Sequence, residues 1–281
     1  MRRKISHKIY SSAEKTVVKC LAVSAGLIFF LAISISCAKP QMIKSETDSR
    51  AVEEAETLYK SPLWTDRVSA IGLVTNVTSM RAEELIINAT DDEYPRVRIE
   101  ALGALSKFKT QNAFDAVRRS AEKETDKSIK WTAIKSLAEF RNPLAAPIFI
   151  HALSQDDWLI REEAIRGLLV IRDSETEKLS VDSILHSLSD PSENVRIATL
   201  SNLKIENPKI YAVLKIQISD EKNRSRFTYL EALLTALVNY KLDEGVRKIV
   251  LTLITHSDAE IRILALRCVK SSDEKPEIPA R

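Results

Sequence analysis

One pattern recurs seven times in this chain of 281 residues and limits what the chain can fold into. A branched apolar residue precedes a basic one, Ala follows three residues later, and an aliphatic residue comes one position after that. With the basic position as slot zero, the column reads Arg67, Arg98, Lys130, Arg161, Arg196, Tyr229 and Arg262, spaced 31 to 35 residues apart. Slot +3 holds Ala70, Ala101, Ala133, Ala164, Thr199, Ala232 and Ala265; slot +4 holds Ile71, Leu102, Ile134, Ile165, Leu200, Leu233 and Leu266. Slots −1, +3, +4 and +7 fall on one face of a helix with 3.6 residues per turn. A single buried stripe returning at this period is the signature of stacked helical repeats.

Each template helix is followed by a second amphipathic stretch, at about 79–89, 111–123, 143–153, 178–188, 208–218 and 243–255. A helix over about 48–60 precedes the first template and serves as the cap that an array needs. Pro62, Pro95, Pro143, Pro191 and Pro208 stand where helices should begin, because a first-turn proline sacrifices no hydrogen bond. Asp190-Pro191-Ser192-Glu193 has the spacing of a capping box. The last template should end near Lys270. The expected architecture is all-α: an α-solenoid of about six and a half repeats over 48–270, with a disordered tail at 271–281. Five glycines among 281 residues suit such short connections.

The N-terminus reads differently. Six basic side chains and Glu14 lead into CLAVSAGLIFFLAISISCA, an uncharged run between Lys19 and Lys39. Residues 1–37 are therefore a membrane-targeting segment, either a signal peptide or an uncleaved anchor, with 38–47 as a tether. A basic leader stays on the cytoplasmic side, which puts the repeats outside the cytoplasm. Beyond Cys37, acidic side chains slightly outnumber basic ones, so a broad basic field for nucleic acid is absent. Cys268 lies in slot +6 among small residues and reads as packing.

Two resemblances follow. Val97-Arg98 through Leu105, Ile160-Arg161 through Leu168, and the second-helix run AAPIFIHAL at 145–153 resemble bacterial HEAT repeats, including those of phycobilin-lyase subunits. The resemblance implies a right-handed superhelix. The ending Ile33-Ser34-Ile35-Ser36-Cys37 resembles a bacterial lipoprotein signal, which implies lipid attachment at Cys37. A transmembrane anchor and a plain cleaved signal are the alternatives.

Catalytic signatures are missing: the sequence has no HExxH, no GxGxxG, no phosphate loop and no GxSxG. His151, His186 and His256 each lie near the end of a second helix, but no carboxylate accompanies them, so no metal or cofactor is expected. The basic column should hydrogen-bond from repeat to repeat, with Asp91, Asp126, Asp157 and Asp258 as acids within reach. Partner binding is expected on the second-helix face, taken as the concave side. Ile148, Phe149 and His151 are central there, with Trp131 and Trp158 as further contact residues. The expected function is a non-catalytic scaffold in the bacterial envelope, binding another envelope protein and held to the membrane by lipid or anchor. A lyase-like enzyme or accessory subunit and a purely structural spacer are the alternatives.

Overall fold

The computed structural model describes residues 46–171 and 174–274. Cys37, the expected membrane-targeting segment at 1–37 and residues 275–281 lie outside them. The described residues are helical throughout, with no strand among them. Residues 46–58 form α1. Template helices are α2 (Trp64–Val74), α4 (Pro95–Leu105), α6 (Lys127–Glu139), α8 (Trp158–Val170), α10 (Glu193–Asn202), α13 (Phe227–Leu237) and α15 (Ala259–Glu274). Second helices are α3 (Met80–Ala89), α5 (Gln111–Lys123), α7 (Ala146–Ala152), α9 (Ser174–Ser187), α11 (Pro208–Ser219) and α14 (Glu244–Leu253). A 3₁₀ turn at Pro143–Ala145 leads into α7, and a short helix, α12 (Glu221–Arg224), precedes α13.

The stripe is buried as its spacing demands. Val97, Ala101, Leu102 and Leu105 on α4, and Ile129, Ala133, Ile134 and Leu137 on α6, are all fully enclosed. Each template helix packs on the next along its length, whereas successive second helices touch only sparsely. The side chains explain this asymmetry. Ala at slot +3 and Ala104 or Ser136 at slot +6 let the template helices approach closely. The tightly spaced row runs on the shorter arc, so the concave side belongs to the template helices. This reverses the sequence-based placement of the concave face on the second helices.

Side-chain caps start most of the helices. Ser79, Thr110, Asp126, Asp157, Asn207 and Asp243 each accept an amide N–H of the following first turn. Pro95 and Pro208 occupy first-turn positions. Pro62 and Pro191 instead lie in the turns before α2 and α10, and Ser192, without a side-chain cap, is the N-cap of α10. Asp190 is thus no capping-box residue; its carboxylate accepts the amide of Ser192 in the turn.

The last helix is longer than its repeat pattern. Ser271 donates to the Val238 carbonyl at 2.7 Å, and Ser272, buried, accepts the amide of Leu242 at 2.9 Å. These bonds tie the final turn of α15 to the preceding loop, so order extends through Glu274 instead of ending at Lys270.

Candidate interaction surface

The basic column does two jobs at once. Each Arg Nη1 reaches back to the carbonyls five and six residues upstream, in the turn that follows the preceding helix. Arg98 meets Asp92 and Glu93, Arg161 meets Gln155 and Asp156, and Arg262 meets His256 and Ser257. A cation placed there satisfies the carbonyls of the connecting turn and fixes its path. The rest of the guanidinium fork reaches forward to an acid at slot −6 of the next repeat. Arg67 holds Asp92 through Nε and Nη2 at 2.8 and 2.9 Å, and Arg161 holds Asp190 at 2.8 and 3.0 Å. Arg98 meets Glu124 at 3.1 Å.

The forward acids are therefore Asp92, Glu124 and Asp190, three residues before the next template helix. Asp126, Asp157 and Asp258 instead cap their own helices, which removes them as partners of the column. Burial alone would raise the carboxyls of Asp92 and Asp190. The adjacent guanidinium and a turn amide outweigh it and hold both below the usual carboxylate range.

Repeat six keeps the carbonyl cap despite Tyr229 in slot zero. Arg224 on α12 donates to the carbonyls of Ile218 and Ser219 at 2.8 and 2.9 Å. Tyr229 is buried beneath Arg226 and Arg196, whose guanidinium carbons lie 4.5 and 5.8 Å from its ring centre. Sequence spacing missed Arg224 because it falls five residues before the slot.

The predicted contact residues divide. Phe149 is 0 % exposed and lies against Gly167 of α8, so it is core and drops out as a contact residue. Ile148 is half-buried, and His151 faces solvent together with Leu144 of the preceding turn. Trp131 is half-buried at slot +1 with Lys135 Nζ 4.9 Å above its ring. Trp158 is exposed at the opening of α8.

Trp158 is not alone. Trp64, Tyr94, Trp158 and Phe227 are between 37 and 46 % exposed and all lie two to four residues ahead of slot zero. Leu63 and Leu159 stand beside two of them and are also exposed. Trp64 and Tyr94, from adjacent repeats, stack with ring centres 4.9 Å apart and planes within 5°. These positions, slots −4 to −2, set the four side chains at the openings of their template helices, where each second helix turns into the next template. Periodicity missed the line because every member lies outside the buried stripe. A per-repeat comparison of the residues just before slot zero would have found it.

Among the described residues, no three or more His, Cys, Asp and Glu side chains come together as a metal site, and no helix is long and apolar enough to cross a membrane.

Residues 120–204 match the family profile for HEAT repeats. No curated protein matches the chain. Among solved structures, an engineered protein overlaps with a TM-score of 0.55 at 16 % identity, over 80 % of this chain and 69 % of that one. The Escherichia coli protein YibA overlaps with a TM-score of 0.51 at 14 % identity, over 85 % and 98 %. The complex of CpcE and CpcF of phycocyanin lyase from Nostoc sp. PCC7120 gives a TM-score of 0.48 at 20 % identity, over 79 % and 94 %. The first two show the shared α-solenoid fold.

Proposed function

We propose that this chain is a non-catalytic HEAT-repeat scaffold that binds a protein partner along the aromatic edge of its template-helix openings. The observation that carries the reading is the recurrence of exposed Trp64, Tyr94, Trp158 and Phe227 at the template-helix openings of four repeats. Large aromatics left half in water at successive helix openings form a ready contact line, since they bury much area on binding at little cost in side-chain entropy. His151 and Leu144 flank the same middle repeat. The partner is an envelope protein, because the leader and apolar run of residues 1–37 direct the repeats out of the cytoplasm, with Cys37 as the lipid-bearing residue.

The test compares the intact protein with a Tyr94→Ser, Trp158→Ser variant as bait in envelope extracts, with thermal unfolding as the folding control. Loss of captured partners in a variant that keeps its Tm supports the edge; undiminished capture refutes it. For the anchor, Cys37→Ser should release the protein from the membrane fraction, and retention there would favour an uncleaved transmembrane segment.

A further inference from the structure

Slot +4 is covered in six repeats and open in the seventh. Ile71, Leu102, Ile134, Ile165, Leu200 and Leu233 are at most 2 % exposed, whereas Leu266 is 55 % exposed. Ile263, in slot +1 of the same helix, is exposed as well. The other half of the α15 stripe is not: Ile261, Ala265 and Cys268 are sealed against α13, and Cys268 Sγ donates to the Leu234 carbonyl at 3.2 Å. So α15 buries the side that faces the preceding repeat and bares the side that elsewhere receives the next. Its slot-zero arginine is half-used in the same sense. Arg262 Nη1 caps His256 and Ser257, but among the described residues no carboxylate meets its Nε or Nη2. Those are the atoms with which Arg67 and Arg161 hold Asp92 and Asp190.

We propose that this face of α15 is a docking site for a helix of another protein, seated as the next template helix would be. The interior joints state the chemistry of the occupant. The covering helix presents small side chains, as α4 does with Ala101 and Ala104, and an acid stands three residues before it begins, as Asp92, Glu124 and Asp190 do. That acid meets the Arg262 fork while the small face covers Leu266 and Ile263.

Other occupants fit poorly. The opposite end of the array turns Glu53, Glu54, Thr57 and Lys60 outward, a polar surface unsuited to Leu266, which disfavours head-to-tail copies. Symmetric pairing of two α15 helices would set Arg262, Arg267 and Lys270 against themselves. This surface is distinct from the aromatic edge, and either assignment can fail without the other.

The probe is a labelled peptide of residues 190–219, the chain's own repeat-five unit, which in the intact protein covers α8 through α10 and Asp190. It is titrated with the full chain in mild detergent and followed by fluorescence anisotropy. Saturable binding is expected, weakened at least about tenfold by Asp190→Ala in the peptide and abolished by Leu266→Asp in the protein. Arg262→Glu should abolish binding to the natural peptide and restore it to one carrying Asp190→Arg. Leu266 is exposed, so Leu266→Asp should leave the Tm unchanged and report on docking alone. No saturable binding, or binding indifferent to Leu266→Asp, overturns the proposal. So does self-association of the unmodified protein that Leu266→Asp removes, or binding that emerges only after residues 275–281 are deleted.

Discussion

The ring of Phe149 lies so close over Gly167 that a Cβ added there would sit 2.6 Å from ring carbons Cε1 and Cζ. The close contact joins α7 to α8 at the middle of the array. Gly167→Ala should therefore force the ring aside, costing roughly 1–3 kcal/mol as overpacked cores do. Gly72 and Gly103 occupy slot +5 of α2 and α4, with open space where a Cβ would go. Gly72→Ala and Gly103→Ala should each stabilise by about 0.5–1 kcal/mol through helix propensity alone. Thermal unfolding of the three variants checks the opposite signs.

Arg161→Ala should cost about 3 kcal/mol, because it strands Asp190, whose side chain is 3 % exposed, and uncaps the carbonyls of Gln155 and Asp156. At this chain length that lowers the Tm by roughly 6–12 °C. Arg161→Lys should recover only part of the loss, since an ammonium cannot make the two-pronged contact and the backward cap together. A double-mutant cycle with Asp190→Asn isolates the pair, and a coupling near zero would contradict the bidentate contact.

Acid should weaken the fold through Asp92 and Asp190. Both carboxyls are held below 3.8 in the folded state, so the unfolded chain takes up protons first. Their contribution is complete above about pH 5, begins to fall near the unfolded value and is lost as pH falls through the lower native values. Glu163 runs the other way: burial raises its carboxyl above 4.5, with Arg166 and Lys135 compensating only in part. Its charged form therefore weighs against folding at neutral pH. Glu163→Gln should raise the Tm at pH 7, with the gain vanishing as pH falls through the raised native value. Melting curves from pH 3 to 7 test both directions.

Cys268 should resist alkylation in the native protein. It is sealed against α13, and burial pushes its thiol up to about 12, so almost no thiolate exists at neutral pH. Mass spectrometry after iodoacetamide should find the peptide around Cys268 unmodified until denaturant is added; rapid native labelling would show that α15 opens readily.

A chain ending after Lys270 should melt lower than one ending after Glu274. The shorter chain loses the Ser271 bond to Val238 and leaves the buried amide of Leu242 without Ser272. An unsatisfied buried donor costs about 1–3 kcal/mol. Ser272→Ala isolates that bond.

The same residues show why some features could be read from the chain and others could not. The buried stripe is visible because slots −1, +3, +4 and +7 repeat one apolar choice, and helix starts are visible where prolines such as Pro95 and Pro208 open the first turn. Phe149 was misread because α7 is short and apolar all round, so periodicity could not say which residue faces α8. Its packing against Gly167 depends on the neighbouring repeat. The forward acids, Asp92, Glu124 and Asp190, all stand six residues before slot zero, whereas Asp126, Asp157 and Asp258 stand nearer their helix starts and Asp91 one residue farther than Asp92. The final turn of α15 lies past the repeat pattern and is held by serine side chains, which carry no periodic signal. The curvature followed from small side chains on one row, whereas sequence reasoning weighed only the apolar content of the other.

That crowding of one row also bears on the mechanics. The template helices form a continuous spine, while the second helices stand apart like the ribs of a fan. Adjacent repeats can rock about the spine with little loss of burial on the rib side, so elastic strain spreads along the array in small increments. A partner of imperfect shape is then met by flexing many joints slightly, without breaking any one of them.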